Sequence, residues 1–277
     1  MSTYDVGSEL SRFNHNNSTS WLAVSPELSS LVAEGLRISE ITHGAYDITV
    51  GPLVNLWGFG PESHRDQIPS DTAIIQSRAQ VGYWHLHTNL VSPSIKKDHP
   101  GIYIDLSSLA KGYAVDQLAQ LVETNGIQNY LVSIGGDLRA KGHNGKNQPW
   151  TVAIEQPVPG QHIVGRLIQI SDHSVSTAGS YRNYFEKNGQ KYSHVINPHT
   201  GQPVLQALVS VTVISDTDME ADTIDTALMV LGSEDGFKLA TEHHLAALFI
   251  LVSPDGKRFQ EIYTPEFESF LAISRIN

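Results

Sequence analysis

The chain has 277 residues, 40% hydrophobic and 17% charged, the proportions of an ordinary globular protein with enough apolar surface for one large domain or two small ones. Its 29 acidic against 18 basic side chains give a net charge of −11, and no Lys or Arg run is long enough to track a phosphate backbone, so nucleic acid is not an expected partner. The absence of cysteine excludes disulfides, thiolate metal sites, iron–sulfur clusters and thiol nucleophiles. The longest apolar run, Leu245 to Val252, is too short to cross a bilayer, and Met1 to Gly7 lacks the basic and apolar regions of a signal peptide.

In chain order, Ser8 to Asn14 predicts a helical turn followed by an Asn-rich loop through Asn17. Ser25-Pro26 reads as a cap with proline at the first helical position, and Leu28, Leu31, Val32 and Leu36 supply a helical stripe that ends near Thr42-His43-Gly44. The segment Ala45 to Gly60 is aromatic and glycine-punctuated, which is seldom a free surface loop. A helix from Ser70 to about Gln80 places Ile74, Ile75 and Arg78 on successive turns. Strands are expected at Trp84 to Val91 and Ile102 to Leu106, around a loop from Lys96 to Gly101. The next helix follows Ser107 or Ser108, with Ala110, Tyr113, Ala114, Leu118, Leu121 and Val122 on one face and Asn125-Gly126 as its stop.

Further strands are predicted at Tyr130 to Ile134, Trp150 to Ile154, Ile163 to Ser171, Ser174 to Thr177, Leu208 to Ile214 and Leu245 to Val252, with a helix from Asp218 to Leu231 ended by Gly232. Strands outnumber helices and do not strictly alternate with them, which favours a layered α+β fold over a doubly wound parallel one.

Three constellations could carry chemistry. Asp105 to Asp116 joins a strand, a hydroxyl-rich turn and a helix start, so unpaired N–H groups and the positive end of a helix dipole would meet at one spot suited to phosphate. On the helix after Met219, an apolar face of Ile224, Ala227, Leu228 and Leu231 would turn Asp222, Asp225 and Thr226 to the opposite side. Oxygen ligands of that kind suit Mg2+ or Ca2+; an exposed acidic helix face would look the same in sequence. His194 closes a strand before the Pro198-His-Thr-Gly201 turn, a position suited to proton transfer, although it is one of 13 histidines. Gly135-Gly136-Asp137 could admit a close ligand or be a plain turn, and Tyr46, Trp57 and Phe59 could flank a planar ring or be core.

These segments occur together and in order with Ser2-Thr-Tyr4, Ser8 to Asn14, Gly44 to Gly58, Ser133 to Asp137, Ser176-Thr-Ala-Gly179, Tyr181-Arg-Asn-Tyr184, Ser193 to Gly201 and Ala221 to Leu231. In that order the sequence resembles the ApbE-type flavin transferases, the FAD:protein FMN transferases, over nearly its whole length. The resemblance implies an ApbE-like α+β domain over residues 1–277, which an FAD cleft could divide into two lobes. It implies Mg2+-dependent cleavage of FAD at its pyrophosphate, with FMN joined by a phosphoester to a Thr or Ser of a target protein and AMP released. An FAD pyrophosphatase and an inactive flavin-binding protein are the alternatives. By the same resemblance the metal falls to Ser108, Asp222, Asp225 and Thr226, and FAD contacts fall to Tyr4, Ala45, Tyr46, Asp47, Asp105, Lys111 and Ile196. His194 corresponds to the histidine that deprotonates the acceptor hydroxyl.

Acceptors in the family are subunits of quinone reductases and related electron-transport proteins. Members are usually periplasmic or inner-membrane lipoproteins, and they open with a signal, a first strand and a long helix upstream of the segment that matches Met1. Membrane association is accordingly expected only through such an upstream anchor, and the upstream elements are expected to strengthen flavin binding and protect the sheet edge.

Overall fold

A computed structural model of the chain describes residues 1–61, 67–205, 207–256 and 258–272. It divides into two compact units, 1–110 with 183–205, and 111–182 with 206–277. The α+β class holds, built on antiparallel sheets.

The first unit opens with α1 (Glu9–Asn14), β1 (Leu22–Ala23) and α2 (Pro26–Ile41). The Ser25 hydroxyl accepts from Leu28 N at 3.2 Å, and Pro26 sets the first helical φ, so α2 starts where cap chemistry predicts. Its buried stripe is Leu28, Leu31, Val32, Gly35 and Ile38, while Leu36 is only half-buried. Gly35 is required by packing, because a β-carbon there would lie 2.6 Å from Ile48 Cγ2.

The glycine-punctuated segment folds as a short helix, α3 (Gly51–Leu56), and α4 (Asp71–Arg78) follows with Ser70 as its cap. In α4 Ile74 is buried but Ile75 is 64% exposed. Trp84 to Val91 was expected as one strand; Tyr83–His85 is instead a 3-10 turn, leading into β2 (Leu86–Asn89). β3 (Ser94–Lys97) takes in the first two residues of the expected loop, whose remainder, 98–101, is bend and turn, and it pairs with both β2 and β1. Residues 102–106 are not a strand: they make one isolated bridge, Val50 to Tyr103, and bury Ile102, Ile104 and Leu106.

At α5 (Ser107–Thr124) the chain passes into the second unit. The helix exists as expected, yet its buried stripe is Leu109, Gly112, Val115 and Ala119, one position away from the predicted face, and Leu121 is 59% exposed. β4 (Tyr130–Ile134), β5 (Asp137–Lys141), β6 (Trp150–Glu155), β7 (Val164–Ile170) and β8 (His173–Gly179) follow. The chain then returns to the first unit for two hairpins with no apolar run to announce them, β9 (Tyr184–Lys187) with β10 (Gln190–Ser193), and β11 (Ile196–Asn197) with β12 (Gln202–Pro203).

The second unit resumes with β13 (Leu208–Ser215), α6 (Asp218–Glu242), β14 (Ala246–Val252), β15 (Phe259–Tyr263) and α7 (Pro265–Glu268). Gly232 (φ 83°, ψ −175°) breaks the helical path of α6 where a stop was expected, but helix resumes beyond it. The central sheet has the order β15-β14-β13-β8-β5-β4, and each neighbouring pair is antiparallel. One face carries Leu138, Val175, Ile214, Leu248 and Ile250 into a core with Ile154, Ile168 and Phe267. Alternation sends Val211, Val213, Ala247 and Phe249 to the other face, where α6 packs, Phe237 meeting Phe249 edge-on at 5.8 Å. Ser176 and Asp137 lie on that α6-covered side, which sets up the site.

Candidate functional site

In the second unit the start of α6 is held by α5. The Asp116 carboxylate accepts from Asp218 N at 3.1 Å and Met219 N at 3.0 Å, two amides that the first turn of a helix leaves unpaired, and Arg139 balances its charge at 2.6 Å. The helices touch at Gly112, where a β-carbon would lie 2.5 Å from Asp218 O and 2.6 Å from Met219 Cα. Gly112→Ala is therefore expected to lower stability by about 1–3 kcal/mol, since the obstacle is backbone. Chemical unfolding with an unchanged midpoint and slope would contradict this close approach.

That approach fixes Asp222. Gly112 N donates to its Oδ2 at 3.1 Å, and Lys111 Nζ donates to its Oδ1 at 3.3 Å while also forming a short ion pair with Asp137. Asp225, 1% exposed, accepts from the Ser176 hydroxyl at 2.7 Å and from the Thr226 hydroxyl at 3.3 Å; Ser176 Oγ also lies 3.0 Å from Asp137 Oδ1. One hydroxyl carries one proton, so Ser176 donates to both carboxylates only alternately. Both contacts are made at once when Asp225 is protonated and donates to Ser176.

The electrostatics point the same way. Burial and then Asp222 push Asp225 well above the carboxylate range, and burial also raises Asp222, against the pull of Lys111. Burial opposes the Lys111 charge, but Asp222 and Asp137 outweigh it and hold the ammonium above its ordinary range. Asp218 is fully buried with neither carboxylate oxygen hydrogen-bonded, and burial followed by Asp137 and Asp222 pushes it up to about 9.

The expected face is thus present but not exposed, because α6 is buried on nearly every side and Asp222, at 3% exposure, is not a solvated surface acid. Three buried carboxylates, Asp137, Asp222 and Asp225, share one ammonium, an excess of negative charge that a hard divalent cation would neutralise. Among the described residues no three Asp, Glu or His groups already converge as a metal cluster. Two carboxylates and the Thr226 hydroxyl nonetheless form an oxygen donor set that fits Mg2+.

A sign follows for pH. Asp218, Asp222 and Asp225 all have folded-state values above their unfolded ones, so their contribution to stability is complete at low pH and is lost as pH rises through the folded values. The metal-free protein is expected to lose about 2 kcal/mol between pH 6 and 8, a fall in Tm on the order of 5 °C. A flat or rising Tm across that window would contradict these protonation states.

In the first unit, Asp47 is a loop staple. Its carboxylate accepts from Thr49 N at 2.7 Å, Thr49 Oγ1 at 2.6 Å and Tyr83 N at 2.9 Å, and burial raises its pKa. Ala45 and Tyr46 beside it are buried, and Ser108 Oγ donates to Tyr46 Oη at 3.5 Å, bringing two of the expected residues together. Asp105 accepts from Ser107 N at 2.8 Å and so shapes the start of α5. Tyr4 is 68% exposed, with its hydroxyl donating to Phe59 O at 3.2 Å, and Ile196 pairs with Pro203.

His194 follows β10, and its Nδ1 lies 3.0 Å from Asn183 O. A carbonyl only accepts, so Nδ1 carries the proton in the neutral ring and Nε2 is the basic nitrogen. Phe59 meets the imidazole edge-on at 6.3 Å, and stacking runs on through Phe185 and Tyr192 to Trp57. Trp57 is core, 3% exposed, with its indole N–H donating to Gly201 O at 2.8 Å. Tyr4, Ala45, Tyr46, Asp47, Asp105, Ser108, His194 and Ile196 belong to the first unit; Lys111, Asp222, Asp225 and Thr226 belong to the second.

The sequence did not single out Gly112, Asp116, Asp137, Ser176 or Asp218 for these roles. The Gly-Gly-Asp and Ser-Thr-Ala-Gly motifs contained two of them, but only the sheet register shows that Asp137 and Ser176 face Asp225.

Residues 1–249 match the ApbE family, and the chain belongs to that family. It is 46% identical over 275 residues to the FAD:protein FMN transferase of Escherichia coli strain K12, covering 98% of this chain and 77% of that protein. It is 44% identical over 272 residues to the FAD:protein FMN transferase of Vibrio cholerae serotype O1, covering 98% and 80%. The solved flavin transferase ApbE from Vibrio cholerae superposes with a TM-score of 0.89 at 43% identity, over 98% of this chain and 85% of that one.

Proposed function

We propose that the chain is a transferase that moves the FMN half of FAD to the hydroxyl of a Thr or Ser in an acceptor protein and releases AMP. The observation that carries this reading is the buried pair Asp222 and Asp225 beside the half-buried Thr226, with Asp222 clamped by Lys111 and the Gly112 amide, in a chain similar over 98% of its length to proteins named for that reaction. Asp222, Asp225 and Thr226 would hold Mg2+, with Ser108 contributing a further oxygen. The bound ion would draw charge from the pyrophosphate oxygens as the bond breaks.

The chain's own residues supply the rest. Lys111 and the amides that open α5 offer positive charge and donors suited to phosphate oxygens. Tyr4, Ala45, Tyr46, Asp47, Asp105 and Ile196 would contact FAD; because three donors already hold the buried Asp47 side chain in place, its segment would act through backbone. His194 Nε2 would accept the proton as the acceptor oxygen attacks the FMN phosphorus, the bond to the bridging oxygen breaks, and AMP leaves. The acceptors would be flavin-carrying subunits of quinone reductases or similar electron-transport proteins.

Incubation with FAD and Mg2+, with and without an acceptor peptide that contains Thr, tests the reading. Flavin bound to peptide with matching AMP is the expected result; equal free FMN in both reactions would instead identify a pyrophosphatase.

A further inference from the structure

β3 ends on a lysine that does not reach water. Lys97 is fully buried, and among the described residues no carboxylate forms an ion pair with it. Burial pushes its ammonium down to about 8, so the charge persists at neutral pH. A buried charge without a counter-ion is costly and survives only where hydrogen bonds replace the lost water. Four backbone carbonyls do so here. Nζ donates to Pro100 O and Ile102 O at 3.1 Å and to Phe13 O and Asn14 O at 3.4 Å, with the Phe13 ring centroid 5.0 Å away. The ammonium has three protons for these four acceptors, so the two longer contacts share one. A neutral amine would have two protons and turn its lone pair toward a carbonyl, and an apolar side chain would leave all four carbonyls without this donor. The cage is built for a positive charge.

The carbonyls come from the end of α1 and from the turn that follows β3, and Lys97 joins the two through backbone alone. Past that turn the chain stays tied to α1 by Asn14, whose side chain donates to Ile104 O and accepts from Ile104 N, each at 2.8 Å. The flanking peptides point the other way, toward residues 48–50: Asp105 N donates to Ile48 O at 2.8 Å, and Tyr103 bridges to Val50. Residues 102–105 therefore run between α1 and residues 48–50, all within the first unit. Ala45, Tyr46 and Asp47 immediately precede Ile48, and Asp105 is itself part of the stretch, so four of the residues proposed to contact FAD depend on where it sits.

We propose that Lys97 is a positioning residue for flavin binding: its caged ammonium fixes the backbone of residues 100–105, and through it the 45–48 segment, so that the charge at this position sets the affinity for FAD. The inference rests on the proposed transferase reading, which assigns FAD to these segments. Without the charge the stretch spends part of its time displaced, and the apparent affinity falls by the fraction that remains competent. Saturating FAD restores the competent population, so the loss falls on KM and spares turnover.

Lys97→Met keeps the stem and removes the charge. With the full chain at neutral pH, its Kd for FAD, and its KM for FAD in Mg2+-dependent AMP release, are expected to rise by about tenfold or more, while kcat at saturating FAD stays within about threefold of the parent. Without FAD, amide exchange at Ile104 and Asp105 is expected to quicken by about tenfold or more while α6 and β13 keep the parent's protection, and saturating FAD is expected to slow both amides again. The absence of cysteine allows a second comparison at fixed bulk. Lys97→Cys, alkylated while unfolded with bromoethylamine and then refolded, carries an ammonium on a side chain of lysine's length; bromopropane puts a methyl group there instead. The aminoethyl protein is expected to return to within about threefold of the parent's Kd, and the propyl protein to match Lys97→Met. Equal Kd in the two alkylated proteins, or a fall in kcat with Kd unchanged in Lys97→Met, overturns the proposal. Loss of protection in α6 and β13 as well as at 104–105, in the propyl protein as in Lys97→Met, also overturns it, assigning Lys97 to global stability. Flavin transfer by the parent with the same Kd in every variant removes the positioning role and leaves the transferase reading intact; the expected Kd changes without transfer do the reverse.

Discussion

Replacing Asp222 by alanine is expected to lower the Mg2+-dependent rate of AMP release by about 10³ or more, with only a modest loss of FAD affinity. The side chain accepts from Gly112 N at 3.1 Å and from Lys111 Nζ at 3.3 Å, so it seats the start of α5 against α6, and in the proposed reading it would also give the metal an oxygen. A divalent ion contributes several kcal/mol of charge stabilisation to phosphoryl transfer, and each 1.36 kcal/mol is tenfold in rate. Asp222→Asn separates the two roles. The amide oxygen still accepts from Gly112 N and keeps the helix junction, yet offers the metal no charge, so the asparagine variant is expected to fold like the parent and remain inactive. Normal turnover in either variant, measured as initial AMP release across a Mg2+ titration, would contradict the metal assignment.

The second large effect concerns His194. His194→Ala is expected to slow flavin transfer by about 10² to 10⁴ while the Kd for FAD stays within about twofold, because in the proposed reading the ring would act on the acceptor's proton rather than on the nucleotide. Its Nδ1 is held 3.0 Å from Asn183 O, which fixes the tautomer and makes Nε2 the nitrogen that would serve as the base. The base works only when neutral, so the parent's rate falls as pH drops through imidazole protonation, and the variant is expected to lose that limb of its pH–rate profile. A variant that keeps the limb would move the base to another residue.

Much of the fold could be read where local chemistry and burial agree. Ser25-Pro26 capped α2, Ser70 capped α4, and Gly232 interrupted α6 where the pattern said it should, because caps and glycine stops act within one turn of chain. Reading failed where the deciding partner was remote. The stripe of α5 was placed one position off because Gly112, a residue with no side chain, sits inside the true stripe and earns its place only through contact with Asp218 and Met219. The hairpins over 184–203 are built from polar, aromatic and charged residues without alternation, so periodicity had nothing to detect.

The candidate site divides in the same way. Asp222, Asp225 and Thr226 were picked out by helical spacing and motif context, whereas Lys111 came only from the family resemblance. Their burial could not be foreseen, since two acids and a hydroxyl on one helix face ordinarily signal a solvated surface. What reverses that expectation is the packing of α6 on the sheet, which sets Ser176 of β8 2.7 Å from Asp225 and brings Lys111 to Asp137 at the start of β5. The same packing makes the acids hard to ionise and gives a divalent cation something to neutralise.

The central claim is that FMN leaves FAD for a protein hydroxyl. Mass spectrometry of a Thr-bearing acceptor subunit after incubation with the chain, FAD and Mg2+ tests it most directly. The account predicts that the acceptor gains the mass of one FMN phosphoester at a Thr or Ser, in step with AMP release and absent with Asp222→Ala. An acceptor of unchanged mass while FAD is consumed to free FMN and AMP would contradict it.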